Sequence, residues 1–214
     1  MSANIDFWER IEENPSPGFQ VLFEKEKEYL RSHISNNAKV LDVGCGNGRN
    51  IISLLNITSD ITGIDNDPQA IKDAKENLKE YPSVDIQQAD ATNLFFKENT
   101  FDCTVLMMTL VNFADKKVKA LEEAKRVTKE NGKIIVSVYS EKALNERLEM
   151  YKQIGVPVKK VKDGYVTFDE SVGAYTSEQF TKDELEELAN KAGLKMTNCE
   201  EAGALAHLCI LERL

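Results

Sequence analysis

The sequence predicts an α/β fold: a doubly wound, mostly parallel seven-stranded sheet with helices on both faces and the last strand antiparallel. Short β-rich runs alternate with helical stretches from residue 39 onward, which is typical of βαβ units and a parallel sheet. A glycine-rich turn follows the first of these runs, and two further β-rich runs follow the last helix. A chain of 214 residues suits one domain of this class.

Two helices are predicted ahead of the sheet. The first contains Phe7 and Trp8 and ends before two prolines. The second spans 19–34, where apolar residues recur at helical spacing, namely Phe19, Leu22, Phe23, Leu30 and Ile34. Glu26 interrupts its apolar stripe with charge. We expect these helices to form an N-terminal cap over residues 1–38.

The core of the sheet is predicted over residues 39–138. We expect strands at 39–43, 61–65, 84–87, 102–107 and 133–138, and helices near 48–56, 68–79 and 115–129. Asp67 can cap the second of these helices, and Pro68 suits its first position. The third helix is expected to stop at Asn131-Gly132.

After the fifth strand, an insertion over residues 139–180 breaks the alternation. Its segment 151–178 has no clean periodicity and holds aromatic residues among lysines and glycines. We interpret it as a lid on the substrate side, because loops of this kind close over ligands and exclude water. The closing part, 181–214, should hold a helix opened by a capping box of Thr181 and Glu184, then strands near 194–199 and 205–211.

The composition argues against several classes of function. The formal charge is −9, so a nucleic-acid backbone would meet net repulsion. Four cysteines without a CxxC pair and only two histidines give no metal-ligand spacing, and we expect no metal. No apolar run approaches the roughly 20 residues of a membrane helix, and the N-terminus looks like no signal or transit peptide. We therefore expect a cytoplasmic protein that binds neither nucleic acids nor membranes.

Three acidic or glycine-rich segments follow successive strands. The turn Asp42-Val43-Gly44-Cys45-Gly46-Asn47-Gly48 opens a helix, and its glycines let backbone amides approach a ligand closely. Asp65 ends the second strand, 21 residues after Gly44, where its carboxylate can accept both hydroxyls of a ribose. Asp90-Ala91 follows the third strand, where a carboxylate and a backbone amide can bind an adenine edge. Together they indicate a nucleoside cofactor.

Two classes of cofactor fit these segments. Dinucleotide enzymes favour G-x-G-x-x-G, whereas the spacing here is G-x-G-x-G with Arg49 next. Asp42 would repel a phosphate and attract an ammonium or sulfonium group. The charge pattern therefore favours a zwitterionic ligand with a cationic sulfur over NAD. Whether Asp42 touches the ligand or only fixes the loop stays open at this point.

The family that these motifs resemble is that of the class I S-adenosylmethionine-dependent methyltransferases, in the style of its small-molecule branch. The motifs are Val40-Leu41-Asp42-Val43-Gly44-Cys45-Gly46-Asn47-Gly48, Gly63-Ile64-Asp65, Asp90-Ala91 and Phe101-Asp102. The resemblance covers roughly residues 39–138 and extends loosely to the closing helix and strands. It implies a Rossmann-like methyltransferase fold, S-adenosylmethionine as cofactor and S-adenosylhomocysteine as product.

The resemblance also implies which residues bind the cofactor. The glycine turn would lie under the methionine part, Asp65 would hold the ribose and Asn66 would flank the adenine. The full set is Gly44, Cys45, Gly46, Asp65, Asn66, Asp90, Ala91 and Met107. After strand four the chain departs from its relatives, many of which carry a small residue and then histidines where this chain has Met107 to Phe113. No catalytic residue is therefore transferred from the family.

Candidates for the acceptor side are Thr109, Asn112, Tyr139, Tyr175 and His207, and each has a structural role as its competing interpretation. The leading hypothesis is in-line methyl transfer to a small-molecule acceptor, for which positioning is the main requirement. Three alternatives stay open: a protein or peptide methyltransferase, a non-catalytic S-adenosylmethionine-binding sensor, and a nicotinamide-dependent oxidoreductase. A monomer and a homodimer both fit.

Overall fold

The computed structural model describes residues 5–172 and 175–214, with side chains described from Trp8 onward. In chain order the elements are α1 (Ile5–Glu13), α2 (Pro17–His33), β1 (Val40–Val43), α3 (Arg49–Leu54), β2 (Ile61–Asp65), α4 (Pro68–Asn77), β3 (Asp85–Gln88), β4 (Phe101–Met107), α5 (Lys117–Val127), β5 (Thr128–Tyr139), α6 (Leu144–Gln153), β6 (Val158–Lys162), β7 (Tyr165–Phe168), β8 (Thr176–Ser177), α7 (Lys182–Lys191), β9 (Leu194–Ala202) and β10 (Ala206–Arg213). Within the core, every predicted boundary except the start of β5 and the expected stop of α5 at Asn131-Gly132 lies within two residues of the observed one.

The large sheet has the strand order β3-β2-β1-β4-β5-β10-β9. The strands from β3 to β5 pair in parallel, and β10 runs antiparallel to both of its neighbours. Helices flank the sheet, so the predicted fold class is confirmed. The strand order reverses between β1 and β4, which is where open α/β sheets bind ligands, beyond the carboxyl ends of the strands.

Central strands are buried along almost their whole length because helices cover both of their faces. All four residues of β1 are buried, and six of the seven in β4. Helix α5 packs on β5 and α7 packs on β9, and the two helices also contact each other. Helix α2 contacts β9 and β10. The resulting core is continuous from Ile11 in the first helix to Leu211 in the last strand.

The charge inside the apolar stripe of α2 is buried and paired. Glu26 is only 1 % exposed. Its Oε1 accepts a hydrogen bond from the Ser137 hydroxyl at 2.7 Å, and its Oε2 lies 3.2 Å from the Arg49 guanidinium. This carboxylate therefore connects α2 to β5 and α3. Glu26, which interrupts the apolar stripe of α2 in the sequence, anchors the helix to the rest of the fold.

The predicted end of α5 at Asn131-Gly132 is wrong, because the helix stops at Val127. Thr128 takes an extended conformation, and its hydroxyl donates to the Ala124 carbonyl oxygen at 2.7 Å. The strand β5 therefore begins at Thr128, directly after the helix. The Asn-Gly pair lies within β5, at the point where its register against β4 shifts.

The insertion is regular, contrary to the expectation of a segment without pattern. It begins with α6, which the sequence did not predict, and continues as a small antiparallel sheet in the order β6-β7-β8. Val166 and Phe168 are its fully buried residues on β7. The Phe168 ring lies against Tyr151 at 5.0 Å and Tyr175 at 4.5 Å between centroids. The contact with Tyr151 attaches the small sheet to α6.

The closing part confirms the predicted capping box of Thr181 and Glu184, in which each side chain bonds the other's backbone N–H. On the following hairpin, Cys199 lies directly opposite Cys209 and a disulfide joins them. The cysteine spacing did not indicate this pair, since strand register brings the two residues together. Among the helices of residues 5–172 and 175–214, none combines the length and the apolar character that crossing a membrane requires.

Candidate functional site

A cavity of about 320 Å³ opens at the carboxyl ends of β1, β2 and β4. It lies at the point where the strand order reverses. All eight residues that the family resemblance assigns to the cofactor line it, namely Gly44, Cys45, Gly46, Asp65, Asn66, Asp90, Ala91 and Met107. Three segments separated in the sequence thus meet around one space.

The glycine turn is fixed by packing at its first position. The backbone N–H groups of Gly44 and Cys45 both donate to the Ile64 carbonyl oxygen, at 2.8 and 2.9 Å. A Cβ atom on Gly44 would lie 2.4 Å from the Thr109 methyl carbon, and the φ of Gly44 is +74°. Gly46, with φ +56°, has open space where its side chain would be. The turn therefore exposes backbone rather than side chains to the cavity.

Asp65 is held in place before any ligand binds. Its Oδ2 accepts a hydrogen bond from the Gly46 N–H at 3.1 Å, and its Oδ1 accepts one from the Asp67 N–H at 3.0 Å. Burial raises the pKa of this carboxyl, and the amide bonds act in the opposite direction. Each oxygen keeps a further lone pair, so the carboxylate can accept two hydroxyls as well.

Asp90 lies at another edge of the same cavity and is more exposed. Its Oδ1 accepts hydrogen bonds from the Thr92 N–H and the Thr92 hydroxyl, both at 2.8 Å. These bonds hold the pKa of Asp90 below its usual range. Next to it stands Ala91, whose backbone amide can serve as a donor, and Asn66 lines the wall between Asp65 and Asp90.

Asp42 lies behind the glycine turn, fully buried, and does not line the cavity. Neither of its carboxylate oxygens has a hydrogen-bond partner among the described residues. Burial, with added repulsion from Asp65 and Glu26, raises its pKa to about 7, although Arg49 opposes the shift. Asp42 is therefore separated from the cavity by the glycine turn and offers no atom to its surface.

Arg49 is a lining residue to which the sequence interpretation gave no role. It is the first residue of α3, and its guanidinium pairs with Glu12 at 2.8 Å and Glu26 at 3.2 Å. The same guanidinium lies 4.6 Å from the Phe23 ring centroid. The acidic and aromatic residues of the two N-terminal helices thus hold a positive charge at the cavity wall.

The first helix reaches the cavity through Trp8. The side chain of Phe7 lies outside the described residues. The Trp8 ring is 5.7 Å from the Arg49 guanidinium. The N-terminal cap therefore closes one side of the cavity.

Three of the predicted acceptor-side residues, Thr109, Asn112 and Tyr175, line the cavity. The Thr109 hydroxyl lies 3.0 Å from the Val43 carbonyl oxygen and 3.1 Å from that of Met107, so it also ties the ends of β1 and β4 together. Tyr139 lies in an adjoining void of about 10 Å³ that shares Trp8, Asn112 and Tyr175 with the cavity.

His207 is not brought to the cavity, which corrects its assignment to the acceptor side. It is buried on β10, and its Nε2 lies 3.0 Å from a carboxylate oxygen of Glu141. The apolar sequence around His207 is also compatible with a purely structural role in the sheet. The contact with Glu141 supports that role.

Two further residues near the site went unnoticed in the sequence. Met108 lines the cavity in a left-handed conformation, with φ +54°, and its N–H donates to the Ser137 hydroxyl at 2.8 Å. Arg147, on the unpredicted α6, is fully buried below the Tyr139 ring, 4.1 Å from its centroid. No local pattern marks either residue, since both depend on contacts between distant segments.

Known proteins resemble this chain in sequence and in fold. The family described as "Methyltransferase domain" matches residues 41–136. A demethylmenaquinone methyltransferase of Staphylococcus aureus is 30 % identical over 162 residues, which cover 70 % of this chain and 67 % of that protein. One from Paenarthrobacter aurescens is 30 % identical over 145 residues, 64 % of this chain and 56 % of its own length. The chain thus spans little more than half of the latter relative.

A solved structure from Pyrococcus horikoshii, the protein PH0226, shares the fold. It superimposes with a TM-score of 0.73 and 24 % identity, covering 94 % of this chain and 93 % of its own. This likeness supports the fold alone.

Proposed function

Because this chain belongs to the class I S-adenosylmethionine-dependent methyltransferase family, we propose that it transfers the methyl group of S-adenosylmethionine to a small aromatic acceptor of the quinol type. The observation that carries the proposal is the meeting of Asp65, Asp90 and the glycine turn in one cavity, next to an aromatic-lined void. The names of the relatives as demethylmenaquinone methyltransferases suggest the class of acceptor.

The charges of the cavity fit the cofactor. Asp65 would accept the two ribose hydroxyls, and Asp90 with the amide of Ala91 would bind the adenine edge. When ionised, the buried Asp42 would attract the positive methionine end, whereas a pyrophosphate would meet repulsion from it. When bound, S-adenosylmethionine supplies an electrophilic methyl group on a cationic sulfur, so the chain need only hold both reactants in line.

The acceptor would lie beyond Met107, between the side chains that close the cavity. Trp8, Phe113 and Tyr175 provide aromatic surface there, which suits a planar ring. This aromatic surface favours a small planar acceptor over a peptide.

A turnover assay tests the proposal. The protein would be incubated with S-adenosylmethionine and dithionite-reduced 1,4-naphthoquinone, a quinol without a substituent at the methylation position. We expect S-adenosylhomocysteine and a singly methylated naphthoquinol in equal amounts, measured by mass spectrometry, and less product with Asp65→Ala when S-adenosylmethionine is limiting. Turnover with peptide acceptors but not with this quinol or other phenolic acceptors would contradict the proposed acceptor class.

A further inference from the structure

The void beside Tyr139 is about large enough for one water molecule. Its volume of about 10 Å³ is near the lower limit for a single water molecule. Two buried polar atoms without hydrogen-bond partners in the described structure belong to its lining, the Tyr139 hydroxyl and Asn112 Oδ1. Buried polar atoms are normally satisfied, so this pair points to a polar group that arrives with a ligand.

A positive charge lies directly behind this void. Arg147 is fully buried, and its guanidinium stacks on the Tyr139 ring at 4.1 Å. It donates to the Tyr151 hydroxyl at 3.0 Å and to the hydroxyl of Ser177 at 3.0 Å. Its remaining contacts are the Ser177 carbonyl oxygen and the Gln179 side chain. All of these partners are neutral, so no carboxylate among the described residues compensates this charge.

None of the described residues that line the void is charged, and two cations of neighbouring segments have carboxylate partners. Lys117 forms an ion pair with Glu178, and Arg49 pairs with Glu12 and Glu26. A buried charge without a counter-ion is costly, and proteins keep few of them. The uncompensated charge of Arg147 therefore favours an anionic group in the void in front of Tyr139.

We infer that this void is an oxyanion subsite: the acceptor places its ring in the large cavity beside Trp8 and Tyr175 and its ionised hydroxyl in the void, where the Tyr139 hydroxyl donates to it and Arg147 stabilises its charge. The inference rests on the proposed function, because it takes the acceptor to be a hydroxylated aromatic. It adds that the protein binds the phenolate form. Tyr139 can act as a donor because burial raises the pKa of its hydroxyl well above the ordinary value and keeps it protonated.

Arg147 acts through Tyr139 and is a positioning residue in this scheme. The Asn112 amide can contribute a second donor, since a half-turn of its side chain exchanges oxygen for nitrogen. A phenolate held in this way carries excess electron density on its ring and oxygen, which is what attack on a sulfonium methyl group needs.

The test uses 4-nitro-1-naphthol, a planar bicyclic phenol whose neutral and ionised forms absorb at different wavelengths. The dye is added to the full-length protein with S-adenosylhomocysteine, at the pH where half of the free dye is ionised. The ratio of ionised to neutral dye changes about tenfold for each unit by which binding shifts its pKa. We expect the bound dye to be enriched at least threefold in the phenolate.

Four variants separate the contributions. Tyr139→Phe removes the donor and keeps the ring, and Arg147→Gln removes the charge, so each should lose most of the phenolate enrichment. Arg147→Lys keeps the charge and should retain part of it. Arg31→Gln removes a charge on the exposed side of α2 and serves as the matched control, with the enrichment of the wild type. If Arg147→Gln does not fold, Tyr139→Phe and Arg147→Lys decide the matter.

Calorimetry with S-adenosylhomocysteine on the same samples keeps the two claims apart. Dye that does not bind, that binds in its neutral form, or that keeps its enrichment in Tyr139→Phe overturns the subsite, even where S-adenosylhomocysteine binds normally. Failure of S-adenosylhomocysteine to bind the wild type would instead contradict the proposed function, whatever the dye does.

Discussion

At the scale of single residues, Asp65 is prepared for its ligand by the backbone. Two amides hold its carboxylate at the end of β2, and both oxygens keep lone pairs free to accept hydroxyls. The sequence located this residue because the motif is local: the strand, its terminal acid and the preceding glycine turn are all visible in the printed order.

Replacing Asp65 with alanine should weaken S-adenosylhomocysteine binding at least tenfold, about 1.4 kcal/mol. The reason is that two ribose hydroxyls lose a shared acceptor. Isothermal calorimetry would measure the change, with Asp60→Ala, an exposed carboxyl near the start of β2, as the control. An affinity in Asp65→Ala equal to that of the control would rule out the ribose assignment.

Asp42 predicts a pH dependence of stability. Its pKa rises from 3.8 to about 7 on folding, so the unfolded chain releases this proton at a lower pH than the folded one. The contribution of Asp42 to stability therefore falls as the pH rises through this window. Each unit of pKa shift corresponds to about 1.4 kcal/mol.

We expect Asp42→Asn to unfold at a higher temperature than the wild type above about pH 7, because the amide needs no ionisation. Below about pH 4 the two proteins should unfold alike, since Asp42 is then neutral in both states. Thermal unfolding followed by circular dichroism across this range measures the difference. A gain for the variant that is equal at all pH values would show that the charge of Asp42 is not its cause.

At the scale of elements, the closing helix α7 depends on a signal that the sequence shows directly. The Thr181 side chain accepts from the Glu184 N–H, and Glu184 returns a bond to the Thr181 N–H. Thr181→Ala should lower the free energy of unfolding by about 1 kcal/mol. Glu184→Gln preserves the capping box and should stay close to the wild type in urea unfolding. An equal loss in both variants would contradict this account.

Shortening the β6–β7 hairpin of the insertion tests whether this element contributes to acceptor binding. Val158 and Phe168 lie opposite each other on β6 and β7, so Asn-Gly can replace residues 159–167 as a two-residue hairpin turn. The deletion removes the partner of Ser177, which helps to hold Arg147. We expect cofactor binding to persist and turnover to be lost, measured by calorimetry and S-adenosylhomocysteine release. Full turnover on the quinol would refute a role of this hairpin in acceptor binding.

The elements that the sequence missed share a physical cause. The helix α6 is polar for most of its length, and its buried face includes a charged residue, Arg147, that hydropathy assigns to the surface. Asn131-Gly132 has the composition of a helix stop but lies at a register shift inside β5. Cys199 and Cys209 meet only because their strands pair. In each case a contact between distant segments overrides the local pattern.

At the scale of the whole molecule, the site divides into a half that was predictable and a half that was not. The residues assigned to the cofactor lie at the ends of β1 to β4, and all eight line one cavity. The proposed acceptor half draws on segments that are far apart in the sequence. There the sequence analysis named Asn112, Tyr139 and Tyr175, overlooked Arg147 and included His207, which lies elsewhere. The residues of the acceptor half come together only when the chain folds.

The distribution of charged groups differs in the same way between the cofactor half and the proposed acceptor half. The chain carries a formal charge of −9, and carboxylates gather around the cofactor half. The Arg147 guanidinium, which has no carboxylate partner in the part of the chain that the structure describes, lies behind the proposed acceptor half. A cationic cofactor and an anionic acceptor would each meet the opposite charge. The two ligands would also attract each other along the line of methyl transfer.

Cofactor identity is the claim on which the rest depends, and thermal unfolding with a ligand panel tests it most directly. S-adenosylmethionine and S-adenosylhomocysteine at a hundredfold excess over the dissociation constant should stabilise the protein by about 2.7 kcal/mol. We predict that both raise the unfolding midpoint, that NAD does not, and that Asp65→Ala loses the shift. A midpoint raised by NAD alone, or by none of the three ligands, would contradict the account.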